Sequence, residues 1–518
     1  MIITAGLAVL GLAFGGLEAG NNNAAIEARR LATVPQDAKL KGVFLSPDPQ
    51  RLGLIAKRGT KEFAVVDGVP GEEFDAITSS LTFSPDAKQV AYVGRNGTEQ
   101  FAVVNGIRGE AFDWVQAPTF SPSSARLAYA ASKGTHRYVV LDGHRGEEYD
   151  SLTPPFVFSP DSRRLAYVAG KGGKEFVVDE GAKEERFDLV LQPISFSPDS
   201  KRIGYVGVNG TKEYAVVDGI KGNDFERMIQ PVTFSPDSKR VGYVVRKGVH
   251  EYAVMDWLKQ DDFDRILSPF AFTTDSRHVG YIAKEQGRQA AVLDGWRGES
   301  FEAISSGLRF SGDGKHLAYS ARAQKREFVV VDGLREPDYD AIGALTLSSN
   351  FRRRAYAASE KKRSFFVIDG TRGAEFDRMG QIVFSPNEKR TAYVAFLKGR
   401  CVVVVDGIQE EAEGEVEAIS FSPDSAQVWY VDRAAGRKRL VVGAVRSEPF
   451  DAFEGMAFNG TQVAYVGRRG QKRCVVAGGR KSQDYDEVWA LSFQHGATEA
   501  VFSARDAQDL WRVTLNLR

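Results

Sequence analysis

The chain has 518 residues but only two cysteines, Cys401 and Cys474, together with six histidines and five methionines. Two thiols exclude a disulfide-stapled scaffold and a zinc framework of paired cysteines. Both open an apolar run, two repeat units apart and so too distant for a bond; we expect two inert strand cysteines. His136, His144, His250, His278, His316 and His495 show no HxxxH pair and no recurring position, so no metal site is expected. Net charge is lacking as well, because 68 Lys and Arg balance 68 Asp and Glu. That balance argues against nucleic acid as a partner. No G-x-S-x-G elbow, P-loop or dinucleotide glycine fingerprint occurs, and no cofactor is expected.

Long apolar runs are missing with one exception, Ile2 to Leu17. It has the length of a signal-peptide core and is short for a membrane span. Leu17-Glu18-Ala19 fits ahead of a cleavage point, yet no Lys or Arg precedes the run. A signal peptide, a short anchor and a docked segment all remain open for residues 1–22. We expect a periplasmic or extracellular protein that touches membrane only through this segment if it is retained; a cytoplasmic location is the alternative.

What the chain does have is a repeat. The stretch Phe196 to Thr233, FSPDSKRIGYVGVNGTKEYAVVDGIKGNDFERMIQPVT, recurs with marker positions at Leu45, Phe83, Phe120, Phe158, Phe196, Phe234, Phe272, Phe310, Leu347, Phe384, Phe421, Phe458 and Phe493, thirteen starts spaced 37 or 38 residues until a last interval of 35. Each unit reads as four short strands, a to d. Strand a ends at the marker and is closed by Ser-Pro-Asp-Ser, where Pro presets φ and Asp binds its own following backbone. Strand b is a β-branched and aromatic run ending at a turn such as Asn209-Gly210. Strand c is of the Glu-Tyr-Ala-Val-Val type and stops at Asp-Gly, and strand d is the segment around Phe225. The marker Phe and a strand b Tyr recur in nearly every unit. One small sheet cannot bury both its faces, whereas sheets stacked radially can, which makes an all-β propeller of about thirteen four-stranded blades the expected fold.

The FSPDSKRxAYV core resembles the WD-repeat-like propeller repeat of TolB-type periplasmic proteins and of the propeller domains of prolyl-oligopeptidase-like peptidases, from about Pro35 to Arg518. The Gly-His and Trp-Asp dipeptides of true WD repeats are absent from their expected places, and the peptidase half has no counterpart. The resemblance implies a fold and leaves function open, because propellers host unrelated activities.

The irregular units at Phe310 and Leu347, and a change of spacing there, predict two tandem rings, seven blades over 45–309 and six over 310–518; one large ring is the alternative. Residues 23–44 form a lead-in. Within it Pro35-Gln36-Asp37-Ala38-Lys39 matches the segment beginning at Glu73, and the last unit lacks its final strand, so residues 35–40 are expected to complete the last blade.

Recurring aspartates end strand c (Asp67, Asp142, Asp218) and follow the strand d aromatic (Asp75, Asp113, Asp188); repetition in every unit marks them as structural, since a catalytic pair is normally unique. The residues before the markers are small or weakly polar, such as Thr82, Ser195 and Ser420, with Arg309 alone charged, which predicts a central lining without acid, base or ligand set. Charge sorts by loop: the b–c hairpins are basic and the runs after strand c acidic, which predicts a molecule with one basic and one acidic face. The basic hairpins are densest at Arg433, Arg437, Lys438, Arg439, Arg468, Arg469, Lys472 and Arg473, the candidate binding residues for an anionic partner. Trp257 and Trp296, after strand c, are candidate aromatic anchors. No catalytic residue is identified. The expected function is a non-enzymatic scaffold binding a protein or anionic cell-envelope component through a ring face, with a propeller hydrolase or lyase acting on a saccharide or peptide as the alternative.

Overall fold

The computed structural model describes residues 26–34, 37–47, 51–348, 351–460, 462–494, 498–507 and 509–517. The signal-like segment 1–22 and His495 lie outside the described residues. Every regular element among those described is a β-strand.

Blade five shows why the repeat folds as it does. Its strands are Leu189–Phe196, Ile203–Asn209, Lys212–Val217 and Ile220–Phe225, paired antiparallel in that order. In the a–b turn the Ser197 hydroxyl donates to Asp199 Oδ1 at 2.6 Å and accepts the Arg202 N–H at 3.0 Å, while Asp199 Oδ1 also accepts the Lys201 N–H at 3.1 Å. The c–d turn needs positive φ at two successive residues, 54° at Asp218 and 74° at Gly219, the geometry that Asp-Gly tolerates best. Asp218 then accepts the Ile203 N–H at 2.9 Å and ties strand c back to strand b. Thirteen such sheets follow one another. In some, strand a is interrupted, as in Ala76–Ile77 and Thr82–Phe83, both of which pair with Val90–Asn96.

Blades join through aromatics. Phe187 follows strand d of blade four, where it is bridged to Glu175, is fully buried, and meets Tyr205 of blade five edge-on with ring centroids 6.4 Å apart. A Cβ added at Gly207 would stand 2.4 Å from the Phe187 ring, so the close approach requires glycine there. Beside this contact the Glu175 carboxylate accepts the Val190 N–H at 2.9 Å, joining strand c of one blade to strand a of the next. The marker Phe is less deeply placed: Phe196 is half-buried, with Arg164 of the preceding blade 4.9 Å over its face.

Some of the buried tyrosine hydroxyls are orphaned. Those of Tyr205 and Tyr281 have no hydrogen-bond partner, whereas Tyr356 donates to Glu336 Oε2 at 2.9 Å. Removing an unsatisfied buried hydroxyl relieves its desolvation, so Tyr205→Phe is expected to leave stability unchanged or raise it by about 1 kcal/mol, and Tyr356→Phe to lower it by about 1 kcal/mol. Urea melts of the two variants give the comparison; Tyr205→Phe being the more damaging would contradict it.

The thirteen blades form a single ring. At the place where the repeat spacing suggests a boundary, blades seven and eight are packed like their neighbours: Ala291 and Phe301 share a core with Tyr319, Ala321, Phe328 and Val330, Ile304 N–H donates to Gln289 at 2.8 Å, and Thr274 Oγ1 donates to the Gly312 carbonyl at 2.6 Å. Blade thirteen in turn packs on blade one. Leu510, Trp489, Leu31 and Val34 share a core with Leu52, Leu54 and Phe63. The layout is therefore the single large ring, and the seven-plus-six division gives way to it, because a ring closing at blade seven would leave both of these cores without a partner sheet.

Closure uses the lead-in, but not the segment that the repeat register suggests. Ile26–Thr33 pairs antiparallel with Asp509–Asn516 and supplies the fourth strand of blade thirteen. Ala38–Leu45 is instead strand a of blade one. The match of Asp37 to Asp75 is sound in register, yet both mark the crossing into a new blade, which places the closing strand just before it.

Candidate binding surfaces

Antiparallel order gives the ring two ends. The a–b and c–d turns lie at one, here the turn end; the b–c hairpins and the crossings into the next blade lie at the other, the hairpin end.

At the hairpin end the structure places all eight candidate cations on two adjacent blades, eleven and twelve, and pairs most of them with acids. Arg433 lies 3.9 Å and Lys438 2.5 Å from Glu417, and Arg439 pairs with Glu413. Arg468 and Arg473 both reach Glu454 at 2.9 Å, Arg469 pairs with Glu448 at 2.6 Å, and Lys472 lies between Asp486 at 2.8 Å and Asp506 at 3.2 Å. Arg437 has no such carboxylate among the described residues.

These pairs replace the picture of one basic and one acidic face. The acidic runs are largely strand d itself, as in Val69–Phe74, which runs along the outer edge from the turn end back to the hairpins. Glu73 there meets Arg58 of its own hairpin at 2.9 Å, and Glu72 meets Arg108 of the next blade at 3.1 Å. Partners adjacent in space are 15 and 36 residues apart in the chain, which is why sorting charge by loop separates them.

The recurring aspartates are structural, as repetition implies. Asp75 Oδ2 accepts the Gly97 N–H of the following hairpin at 2.6 Å, and Asp188 does the same for Gly210 at 2.7 Å. The strand c aspartates hold a clamp. Arg202 donates to Asp218 at 2.9 Å, reaches the Lys239 carbonyl of the next turn at 3.1 Å, and lies 5.2 Å over the next marker, Phe234. Arg51, Arg164, Arg240, Arg353 and Arg390 repeat the arrangement. In blades seven and eight the arginine is replaced: His278 Nδ1 lies 2.6 Å from Asp294 and His316 Nδ1 2.8 Å from Asp332. Two histidines therefore do share a repeat position, contrary to the sequence reading, and the signal was the residue after Asp-Ser-Arg and Asp-Gly-Lys.

The turn aspartates predict acid behaviour. The Ser84 hydroxyl and the Lys88 N–H hold Asp86 down to about 2, and equivalent hydroxyls and backbone donors lower Asp161, Asp199, Asp237 and Asp313. A carboxylate whose folded pKa is depressed contributes stability above its unfolded value of about 4 and loses it as pH falls through the folded one. The melting temperature is thus expected to hold between about pH 7 and 5 and to fall between about pH 4 and 2. A flat profile down to about pH 2 in a thermal-shift series would rule this out.

The turn end also carries an exposed apolar circle. The first residue of strand d, just past the c–d turn, is Val69, Ile107, Ile220, Leu258, Trp296, Leu334, Ile408 or Val445 in eight of the blades, each at least 64% exposed. Trp296, at 83%, is the largest of them. Trp257 differs: it stands against Tyr243 and over Gly222, so it is a packed turn residue and only partly open to a partner. Of the residues before the markers, Thr82, Ser195 and Ser420 are half-buried, whereas Thr119, Ala271 and Arg309 are exposed. Cys401 and Cys474 are free, buried and in the non-adjacent blades ten and twelve.

No protein-family model and no curated protein matches this chain. Among solved structures it is similar to one described as the crystal structure of the eukaryotic initiation factor, at 13% identity over 58% of this chain and 88% of that one, with a TM-score of 0.29. It is also similar to TolB from Acinetobacter baumannii, at 17% identity over 48% of this chain and 75% of that one, with a TM-score of 0.23. The propeller assignment rests on the thirteen sheets themselves.

Proposed function

We propose that the protein is a non-enzymatic scaffold, a propeller of TolB-type repeats that works outside the cytoplasm and binds a protein or cell-envelope component through one face of its ring. The observation that carries this reading is the apolar circle at the turn end. Single exposed apolar side chains are ordinary, but the same position left exposed and apolar in eight blades is a patterned surface. Trp296 has the size and exposure of an anchor residue. The candidate cations of blades eleven and twelve, Arg433 to Arg473, form a second contact zone for an anionic partner, one that competes with its own carboxylates and so weakens with salt.

The test compares two triple variants as bait against an envelope extract. Trp296→Ser with Leu334→Ser and Ile408→Ser alters the turn end; Arg437→Glu with Lys438→Glu and Arg439→Glu alters the hairpin end. Loss of a defined partner in the first, with melting temperature unchanged, supports the turn end. Loss in the second together with salt sensitivity supports the hairpin end. Retention identical in both variants and at low and high salt would sink the reading.

A further inference from the structure

The ring repeats one groove at its turn end, between strands c and d of one blade and strand b of the next, and at several junctions a side chain of the protein itself fills it. Between blades four and five it is Glu184, whose carboxylate lies 3.0 Å from where a Cβ at Gly219 would stand. Between blades six and seven it is Gln260, 2.7 Å from a Cβ at Gly295. Between blades eight and nine Glu336 accepts the Tyr356 hydroxyl at 2.9 Å and pairs with Arg354. All three stand two residues past the first position of strand d, where blade three has Gly146 and blade five has Gly222. Between blades five and six the filling comes from the other side. There the Trp257 ring lies over Gly222, 2.7 Å from where a Cβ would stand, and meets Tyr243 edge-on with ring centroids 6.5 Å apart.

Between blades three and four the same groove is an open cavity of about 510 Å³. Its walls include Val139, Leu141 and Gly146 of blade three and Leu165, Tyr167 and Gly181 of blade four. Three of these match the surroundings of Trp257 position for position: Gly146 stands for Gly222, Tyr167 for Tyr243, and Gly181 for Trp257 itself. A Cβ at Gly181 would meet no atom within 4 Å, and Gly146 is exposed where Gly222 is half-covered. The tyrosine hydroxyl is also out of the way. At the first two junctions the hydroxyls of Tyr92 and Tyr129 stand 3.4 and 3.7 Å from Cβ positions at Gly71 and Gly109, whereas that of Tyr167 lies 3.3 Å from the Tyr149 hydroxyl and not beside Gly146. Trp257 holds its place at a φ of 69°, a left-handed backbone that L side chains disfavour, so the contacts of its indole in the groove offset that strain. Charges at the rim of the open groove are answered within the ring: Arg126 by Asp142 and Glu147 by Lys183, while Glu180 lies in the field of Arg164.

We propose that the groove between blades three and four receives a tryptophan side chain of a protein partner, its ring over Gly146 and set edge-on to Tyr167. The occupant is chosen by the protein's own example, because another copy of this groove in the same chain already holds an indole in that pose. An aromatic of this size supplies the large buried area on which a single anchor contact depends. Position agrees as well. The exposed apolar circle of the turn end is interrupted at blades three and four, where its positions are His144 and Ala182, so a partner lying on the circle meets an open groove there in place of an apolar tip. The inference deepens the turn-end reading and rests on it for the protein source, but the groove itself is tested without the partner.

Fluorine NMR of N-acetyl-5-fluorotryptophanamide titrated with the full chain tests the groove, with N-acetyl-leucinamide as an apolar competitor without a ring and 5-fluoroindole as the free-molecule form. Three variants are compared. Gly146→Gln copies Gln260 and fills the groove from blade three; Gly181→Trp copies Trp257 and fills it from blade four; Trp257→Gly empties the groove between blades five and six. The expected result is binding of the tryptophan compound by the unaltered chain, weakened about tenfold or more in the two filled variants while they still melt cooperatively, and a further equivalent bound by Trp257→Gly. No binding by the unaltered chain, equal affinity in either filled variant that folds, full displacement by the leucine compound, about tenfold tighter binding of 5-fluoroindole, or no further equivalent in Trp257→Gly overturns the proposal. Partner loss from the Trp296, Leu334 and Ile408 triple variant together with no binding here overturns the groove alone; binding here with that partner retained overturns the turn-end reading alone.

Discussion

Phe187→Ala is expected to lower unfolding free energy by about 3–5 kcal/mol, the range for truncating a fully buried aromatic that the surroundings cannot collapse around. The ring is held on one side by Tyr205 and on the other by the backbone at Gly207. Both belong to a sheet whose position is fixed by the Glu175 to Val190 hydrogen bond and by the next junction, so the void stays open. Phe196→Ala, at the half-buried marker, is expected to cost about 1–2 kcal/mol by the area it removes from contact. Filling the site from the other side is also damaging: Gly207→Ala brings a methyl to within 2.4 Å of the ring and is expected to cost about 1–3 kcal/mol as overpacking. Because each blade touches only its two neighbours, the loss should appear first as faster hydrogen exchange in blades four and five. Equal costs for Phe187→Ala and Phe196→Ala would show that the junction is not where stability is concentrated.

That contrast marks where the repeat was legible and where it was not. Four strands per unit, their order and their turns are written in local signals, Ser-Pro-Asp, Asn-Gly and Asp-Gly, and they stand in the structure as read. The marker Phe and the strand b Tyr recur most regularly; the strand d aromatic recurs almost as well but sits among Glu and Asp, and its depth shows only when the next blade is in place. Charge misled for the same reason. Glu72 and Arg108 are neighbours across two blades, and no loop-by-loop tally brings them together. The arginine clamp lay inside the motif itself, as the last residue of Ser-Pro-Asp-Ser-Lys-Arg, but its three contacts are with strand c and with the following blade. Ring number was beyond spacing altogether, since one ring of thirteen and two smaller rings use the same unit.

Removing residues 1–34 is expected to convert the protein into a poorly soluble or self-associating species, which light scattering after gel filtration measures directly. Ile26–Thr33 covers the last strand through seven paired positions from Leu515 to Asp509. Without it the strand Asp509–Asn516 becomes an open edge with unpaired N–H and C=O groups, a template for another chain. The loss is not confined to hydrogen bonds. Leu31 and Val34 belong to the core that joins blades thirteen and one, so the truncation opens the ring at that seam and exposes Leu510, Leu52 and Leu54. Leu510→Ala separates the two effects, since it leaves the closing strand in place and removes side-chain packing alone, at an expected cost of about 2–5 kcal/mol. The truncated chain should also be rescued by a synthetic peptide spanning residues 26–34, because strand addition restores both the edge and the seam. A truncated chain that stays monomeric and melts with the full-length protein would mean that the ring does not depend on its closing strand.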